Sequence, residues 1–263
     1  MLGRPNLVKW LVVTVLAASL TACRLGHDDH GGAIPATAPE AVDCAGPPYR
    51  QGHGDYESGL EKVTDDARKA VDSYLDEEGF GLPDITYDET ARHGGTALFT
   101  WTEGGAVLGA FVVGDGMDDV EGHHGWGVTS YAVCDPAQWP PAKVDEVGLQ
   151  IWSDADGDPV PTLLIHAEAG PEHCDWQEMT FLYLGKGGRG SEFYGTPPGE
   201  LQKHLTTTYA SHTELPPAAL DTGYQREGRE LWVAADGSAA YLARSDGDAQ
   251  RWPGPSGTPI RCA

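Results

Sequence analysis

The segment TALFTWTEGGAVLGAFVV, residues 96–113, decides the fold of the first part of this chain. Its two halves, 96–102 and 107–113, are rich in the β-branched, aromatic and apolar residues that are typical of strands. Between them lies the pair Gly104-Gly105, which is a hairpin signal because glycine adopts the positive φ angles of a tight turn. The segment therefore predicts two adjacent antiparallel strands.

A third strand and one helix extend this prediction. Residues 125–133 have the composition of a strand. Upstream, apolar residues recur at helical spacing over residues 60–75, behind a capping box formed by Ser58 and Glu61. Gly79 follows the last turn, where glycine commonly ends a helix. The pattern predicts one helix packed on an antiparallel sheet.

The rest of the chain predicts mainly β structure. Residues 155–158 and 235–238 are turn sequences, Ala-Asp-Gly-Asp and Ala-Asp-Gly-Ser, and each lies between two strand-like runs. The proline-rich stretch 136–141 predicts a connection between two lobes. We therefore expect an α+β protein with a helix on an antiparallel sheet in residues 44–136 and mostly antiparallel β-hairpins in residues 137–263.

The N-terminus resembles a bacterial lipoprotein signal. Basic residues are followed by an apolar stretch over residues 10–20 and then by Leu-Thr-Ala before Cys23. The apolar stretch is shorter than the roughly 20 residues that span a bilayer. The resemblance implies removal of residues 1–22 and a diacylglycerol thioether on Cys23, which places the protein at the extracytoplasmic face of the cell membrane. The alternative is an ordinary signal peptide with Cys23 as a spare thiol.

The other cysteines then form an even set. Outside the cytoplasm, Cys44, Cys134, Cys174 and Cys262 predict two disulfides, and four cysteines allow three pairings. Because the first two bracket the first lobe and the last two bracket most of the second, we favour Cys44 with Cys134 and Cys174 with Cys262.

Two further features, the composition of the segment after Cys23 and the net charge of the chain, bear on how the exported domain is held near the membrane. Residues 23–43 are small, polar or proline, a composition that predicts a flexible tether. The formal net charge is −23. Nucleic acid is not an expected partner, because binding its phosphates needs clustered Lys and Arg. The acid excess is expected to keep the exported domain soluble.

Two acidic segments invite a metal-site interpretation. Asp154, Asp156 and Asp158 are spaced two apart, as carboxylates are in calcium loops. An EF-hand loop also needs glycine at its sixth position and glutamate at its twelfth, where this chain has Pro159 and Ile165. A polar turn explains the same acids.

The second acidic segment is the loop over residues 114–124. Asp118, Glu121 and His123 are its candidate ligands for a transition metal, and a solvated surface loop is the alternative. We predict no cofactor, and no motif of nucleophilic catalysis or phosphate binding occurs in the chain. Most tryptophans and tyrosines are expected to pack the sheets rather than to form an exposed patch.

Several segments of the C-terminal part carry a resemblance. They are residues 173–177 (HCDWQ), 215–224 (LPPAALDTGY), 228–233 (GRELWV), 250–253 (QRWP) and 261–263 (RCA). In these segments the chain resembles a group of exported actinobacterial lipoproteins. The resemblance implies export and a disulfide-containing architecture, and it implies no particular chemistry.

Together these features predict a binding or envelope-interaction module that is held to the membrane through Cys23 and engages an envelope protein or glycan. The alternative is a cell-surface hydrolase that uses carboxylates or a bound divalent metal. Convergence of Asp118, Glu121 and His123, or of the acids in 154–158, in one cleft would favour the hydrolase.

Overall fold

The computed structural model describes residues 33–56, 62–78, 82–185, 190–257 and 260. The predicted signal peptide, Cys23, the capping box of Ser58 and Glu61, and Cys262 lie outside these residues. The chain from Ala33 to Ala263 forms one compact unit. In the described part, no helix is long and apolar enough to cross a membrane.

The first sheet is antiparallel and contains the hairpin that the sequence predicts. Its strands are β1 (Arg50–Gly52), β2 (Asp88–His93), β3 (Thr96–Glu103), β4 (Ala106–Asp118) and β5 (His124–Val133), in the spatial order β1-β5-β4-β3-β2. Gly104 and Gly105 turn the β3–β4 hairpin with φ angles of 58° and 87°. The strand predicted over residues 125–133 is present as β5. The short edge strands β1 and β2 were not predicted.

Helix α1 (Ala67–Glu78) begins later than the periodicity predicts. The Asp66 carboxylate accepts hydrogen bonds from the backbone N–H groups of Arg68 and Lys69, at 2.9 and 3.2 Å, and so caps the first turn. Before this cap, Thr64 exchanges two backbone hydrogen bonds with Trp126 of β5, at 2.9 and 2.7 Å. Over the described residues 62–66, pairing of Thr64 with the sheet therefore takes the place of predicted helix.

Replacing Asp66 by alanine is expected to lower the free energy of unfolding by about 1 kcal/mol, because two N–H groups of the first turn lose their acceptor. Urea denaturation followed by tryptophan fluorescence measures this change. The matched control is Asp65→Ala, which removes only an exposed ion pair with Lys69 and is expected to leave stability nearly unchanged. Equal losses in the two variants would contradict the capping role.

Residues 33–43, named here the N-terminal strap, differ from the predicted flexible tether. The strap packs on the face of the first sheet opposite α1, where Ala38 is fully buried and donates its backbone N–H to Ser130 Oγ at 3.0 Å. Asp43 pairs with Val107, whose N–H donates to Asp43 Oδ2 at 2.9 Å. Small side chains allow this close approach to the sheet, although their composition resembles that of a linker.

The strap ends at a disulfide. Cys44 and Cys134 form the bond that the sequence favours, across 90 residues of chain, and so attach the end of the strap to the end of β5. Cys174 is also disulfide-bonded. Its predicted partner, Cys262, lies outside the described residues.

Two further antiparallel sheets form the remainder of the described chain. The first contains β6 (Leu149–Gln150), β7 (Ile165–Ala169), β8 (Thr180–Leu184) and β9 (Ser191–Gly195), which pair in sequence order. The second contains β10 (Ala210–Glu214), β11 (Leu220–Arg226), β12 (Arg229–Val233), β13 (Ala239–Ala243) and β14 (Asp248–Pro253), in the order β10-β14-β13-β12-β11. A shared core, with Ile165 and Leu182 from one sheet and Leu231 and Trp252 from the other, packs them together.

Of the two hairpins predicted in this region, one forms as expected and the other differs. β12 and β13 pair around residues 234–238 as predicted. Residues 154–158 do form a turn, with Asp154 N–H donating to Asp158 O at 2.9 Å. The residues on either side of this turn do not form one continuous pair of strands. The reason is that β6 pairs with the end of β7, where Leu149 lies opposite Glu168.

The proline-rich stretch 136–141 is packed structure rather than an open connection. It includes a 3-10 helix, Pro136–Gln138, and the start of α2 (Pro141–Glu146). The core of the first sheet includes Trp139 and Val144, with Val147, Leu149 and Ile151 packed against it, whereas Trp152 belongs to the core of the other two sheets. Along the chain, the change from one core to the other falls between residues 151 and 152.

Candidate functional site

An open surface depression, lined by polar and apolar groups alike, lies at the end of the first sheet where β4 meets β5. Its volume is about 550 Å³, and it is open to solvent. The lining residues are His53, Gly54, Asp55, Tyr56, Met117 and Asp118, which together are named the acid–histidine pocket. Its two carboxylates and single imidazole suit it to ligand groups that donate hydrogen bonds.

Glycine allows the chain to build this pocket. The segment 52–56 (GHGDY) passes so close to β5 that a Cβ on Gly54 would lie 2.2 Å from the carbonyl oxygen of Val128. From the other side, a Cβ on Gly127 would lie 2.6 Å from the Tyr56 ring. A side chain at either position would push the segment away from the strand, so the pocket depends on both glycines.

His53 is held in one orientation. Its Nδ1 lies 2.8 Å from the backbone oxygen of Thr129. Because a carbonyl oxygen only accepts hydrogen bonds, Nδ1 carries a proton and donates it to Thr129 O. A backbone contact of this kind fixes both the tautomer and the ring direction, as it does for histidines that act as ligands.

Asp118 is the one predicted site residue that lines the pocket. It pairs with His124 across the end of the β4–β5 ladder, and its Oδ1 contacts His124 Nδ1. A carboxylate only accepts, so His124 donates in this contact. Both side chains are largely exposed, at 63% for Asp118 and 76% for His124. The pair therefore lies at the solvent-facing rim of the pocket.

The predicted ligands Glu121 and His123 lie in the loop beyond Asp118 and belong to a separate arrangement around Asp119. The buried Asp119 carboxylate accepts hydrogen bonds from Glu121 N at 3.0 Å, His123 N at 3.0 Å and His123 Nδ1 at 3.1 Å. Burial acts to raise the pKa of Asp119, and the hydrogen bonds from His123 and Glu121 together lower it below its usual value. Asp119 thus shapes the loop, and nothing in the sequence pattern distinguished it from its acidic neighbours.

The acids of residues 154–158 stabilise a turn. Asp154 Oδ1 accepts the backbone N–H groups of Asp156 at 2.9 Å and Asp158 at 3.0 Å, an arrangement typical of Asx-turns. This turn is attached to β11, because Gln225 donates its side-chain amide to Asp154 O at 2.7 Å. Among all described residues, no three or more His, Cys, Asp or Glu side chains are arranged to hold a metal ion.

A second polar cluster lies on the sheet of β6 to β9. His166, Tyr183 and Glu192 lie opposite one another on β7, β8 and β9. The rings of His166 and Tyr183 stack with centroids 4.8 Å apart. Burial, together with the charges of Glu192 and Glu168, raises the pKa of Tyr183, so its hydroxyl stays protonated. This stacking covers one face of each ring, and both side chains are half-buried.

Large aromatic side chains pack the cores, as the sequence predicts. Trp101, Trp152 and Trp252 are exposed by 2%, 1% and 7%. The large hydrophobic side chains exposed in the described residues are Val120, Leu163 and Leu220, and none of them is aromatic.

Two pocket residues, His53 and Asp55, were missed at the level of sequence. Their position depends on contact with β5, more than 70 residues later, as in the 76-residue separation of His53 and Thr129. The alternation of glycine in GHGDY was the available signal, since it permits a close approach of two backbones.

Comparison with known proteins identifies no relative: no protein family, curated protein or solved structure matches this chain.

Proposed function

We propose that this protein is a lipid-anchored, extracytoplasmic binding module that engages a partner of the cell envelope through the acid–histidine pocket. The observation that carries the proposal is the pocket itself, in which His53 is oriented by the Thr129 carbonyl beside the acidic residues Asp55 and Asp118. A side chain that is already oriented loses little conformational entropy when a ligand binds. The lipid is assigned to Cys23 on the signal pattern.

The roles of the other acids support binding over hydrolysis. Asp154 is engaged by backbone N–H groups of its own turn, and Asp119 is engaged by the loop that contains Glu121 and His123. These carboxylates act as acceptors that stabilise local structure. Of the acids and histidines considered for a metal-dependent or carboxylate-based hydrolase, Asp118 alone lines the pocket.

The packed strap supports a partner close to the membrane. Nine residues, 24–32, separate Cys23 from the start of the described strap at Ala33. The ten Cα–Cα steps from Cys23 to Ala33 reach at most about 36 Å, at about 3.6 Å per step. A partner within reach of so short a connection is an envelope protein or glycan. Nucleic acid is not a suitable partner for a chain of net charge −23.

A photo-crosslinking amino acid at position 117 tests the proposal in intact cells. Met117 lines the pocket and is half-buried, so a bound partner is expected to crosslink there on illumination. The matched control is position 163, where the apolar Leu163 is 44% exposed outside the pocket. A discrete crosslinked species from position 117 and none from position 163 is expected. The same products from both positions, or none from position 117, would contradict a role for the pocket.

A further inference from the structure

We propose that the pair Asp115-Gly116 in β4 is a site of spontaneous isoaspartate formation, at which the backbone linkage moves from the α-carboxyl to the β-carboxyl of Asp115. This covalent modification goes beyond the proposed binding function and does not depend on it. Asp-Gly pairs favour the reaction because glycine has no side chain to obstruct the approach of its nitrogen. The chain contains four such pairs, which begin at Asp115, Asp156, Asp236 and Asp246.

The reaction begins when the glycine nitrogen attacks Cγ of the aspartate. A bond forms between the Gly116 nitrogen and Asp115 Cγ, the nitrogen loses its proton, and one carboxyl oxygen leaves as water. The product is a succinimide ring. Water then adds to either ring carbonyl carbon. Addition at Cγ restores aspartate, whereas addition at the former backbone carbonyl leaves the chain linked through Cγ as isoaspartate. One water is lost and one is gained, so no other reactant is needed.

The structure holds the two reacting groups together at Asp115. The Gly116 N–H donates to Oδ1 of Asp115 at 2.8 Å. Because Cγ is bonded to this oxygen, the nitrogen lies next to the carbon that it must attack. Two groups held in contact react faster, since the loss of conformational freedom has already occurred. Both residues are exposed, so water can reach the ring and open it.

The other three Asp-Gly pairs are held differently. In each of them the glycine N–H donates to the backbone carbonyl three residues earlier: Gly157 to Asp154 O at 3.1 Å, Gly237 to Ala234 O at 2.8 Å and Gly247 to Arg244 O at 3.0 Å. These hydrogen bonds close tight turns. They must break before the nitrogen can turn toward the aspartate side chain, so these pairs are expected to react more slowly.

Two of these three carboxylates also point their hydrogen bonds away from the glycine. Asp236 Oδ1 accepts the Ser238 N–H at 3.0 Å, and Asp246 Oδ1 accepts the Asp248 N–H at 3.1 Å. The hydrogen bonds from the Ser238 side chain and backbone lower the pKa of Asp236 and so keep its carboxyl ionised. An ionised carboxyl loses an oxygen as water less readily than a protonated one does. The fold therefore favours reaction at Asp115.

A bulge in β4 gives room for the product. Gly114 lies opposite Gly127 of β5 and Met117 lies opposite Gly125, so the pair Asp115-Gly116 is opposed by one residue of β5. A chain linked through Cγ is longer by one backbone carbon, and a bulge can accommodate this carbon without shifting the paired residues on either side. Since Met117 lines the acid–histidine pocket, the modification changes the backbone directly before that pocket.

The test follows the full mature chain in detergent during prolonged incubation in water enriched in heavy oxygen. Each opening of a succinimide adds one heavy oxygen, so peptide mapping by mass spectrometry measures the reaction at every Asp-Gly pair. In the folded chain, Asp115 is expected to acquire the label at least about tenfold faster than Asp156, Asp236 or Asp246. In urea with a reductant the hydrogen bonds of all four pairs are lost, and the four rates are expected to become similar.

Asp115→Glu is the matched control, because its longer side chain would have to close a larger ring, which forms much more slowly. The label is expected to disappear from the peptide that contains residue 115, while the other three pairs react as in the parent. Residue 115 is exposed, so an unchanged melting temperature is expected. The proposal is overturned if Asp115 reacts no faster than the other three in the folded chain, if its advantage persists in urea, or if the label remains in Asp115→Glu.

Discussion

Replacing Asp135 by alanine is expected to lower the free energy of unfolding by about 3–4 kcal/mol, because three donors, two of them on the buried Thr162, lose their acceptor together. Asp135 is 4% exposed and follows the end of β5. Its carboxylate accepts the Thr162 backbone N–H at 3.0 Å, the Thr162 hydroxyl at 3.0 Å and the Ala137 N–H at 2.9 Å.

The expected loss of stability is large because Asp135 and Thr162 are buried where the two cores are in contact. Thr162 is 2% exposed, so water cannot replace the lost acceptor without opening the structure. Asp135 follows directly on the core of the first sheet, whereas Thr162 lies between Val160 and Ile165 of the second core. Loss of the carboxylate therefore weakens the attachment of one core to the other as well as the cap of the 3-10 helix at Pro136–Gln138.

Urea denaturation measures this change, and two variants bracket it. Asp135→Asn keeps one side-chain oxygen as an acceptor and is expected to lose less stability than alanine. Asp145→Ala changes an exposed residue of α2 and is expected to stay within about 0.5 kcal/mol of the parent. A loss below about 1 kcal/mol in Asp135→Ala would show that the hydrogen bonds to Thr162 contribute little.

Local signals in the sequence predicted the local structure well. The glycine pair at 104–105 and the turn at 235–238 each specify a hairpin through their own backbone preferences, and both hairpins form. The strap at 33–43 could not be predicted in this way. Its small residues have the composition of a linker. The strap packs only because the sheet also has small residues, such as Ala110 and Ala132, where the two meet.

The candidate site shows the same limit. Asp118 was singled out because it lies in an acidic stretch of the sequence, which is a property of neighbouring residues, although the structure places it at the end of β4. His53 enters the pocket through a contact with Thr129, and Asp119 differs from its neighbours only in being buried. Both properties arise from long-range packing of the chain, so they became visible only with the fold.

Replacing Cys23 by alanine is expected to abolish acylation and to release the protein from the membrane fraction. A thioether lipid can form only on the cysteine thiol, and stable anchoring needs more than one acyl chain. The apolar stretch at residues 10–20 does not substitute for the lipid, because it is shorter than the roughly 20 residues that span a bilayer. Among the described residues, no helix is a candidate membrane span.

Metabolic labelling with an alkyne fatty acid, followed by membrane fractionation, measures both effects in one culture. The parent chain is expected to carry the label and to sediment with membranes, whereas Cys23→Ala is expected to lose essentially all of the label and to appear in the soluble fraction. The control Thr21→Ser keeps the cysteine and a small residue two positions before it, so it is expected to behave as the parent does. Retention of the label in Cys23→Ala would reject the lipid assignment. The limit of roughly 36 Å between the anchor and Ala33 would then no longer apply, because that limit is measured from a lipid on Cys23.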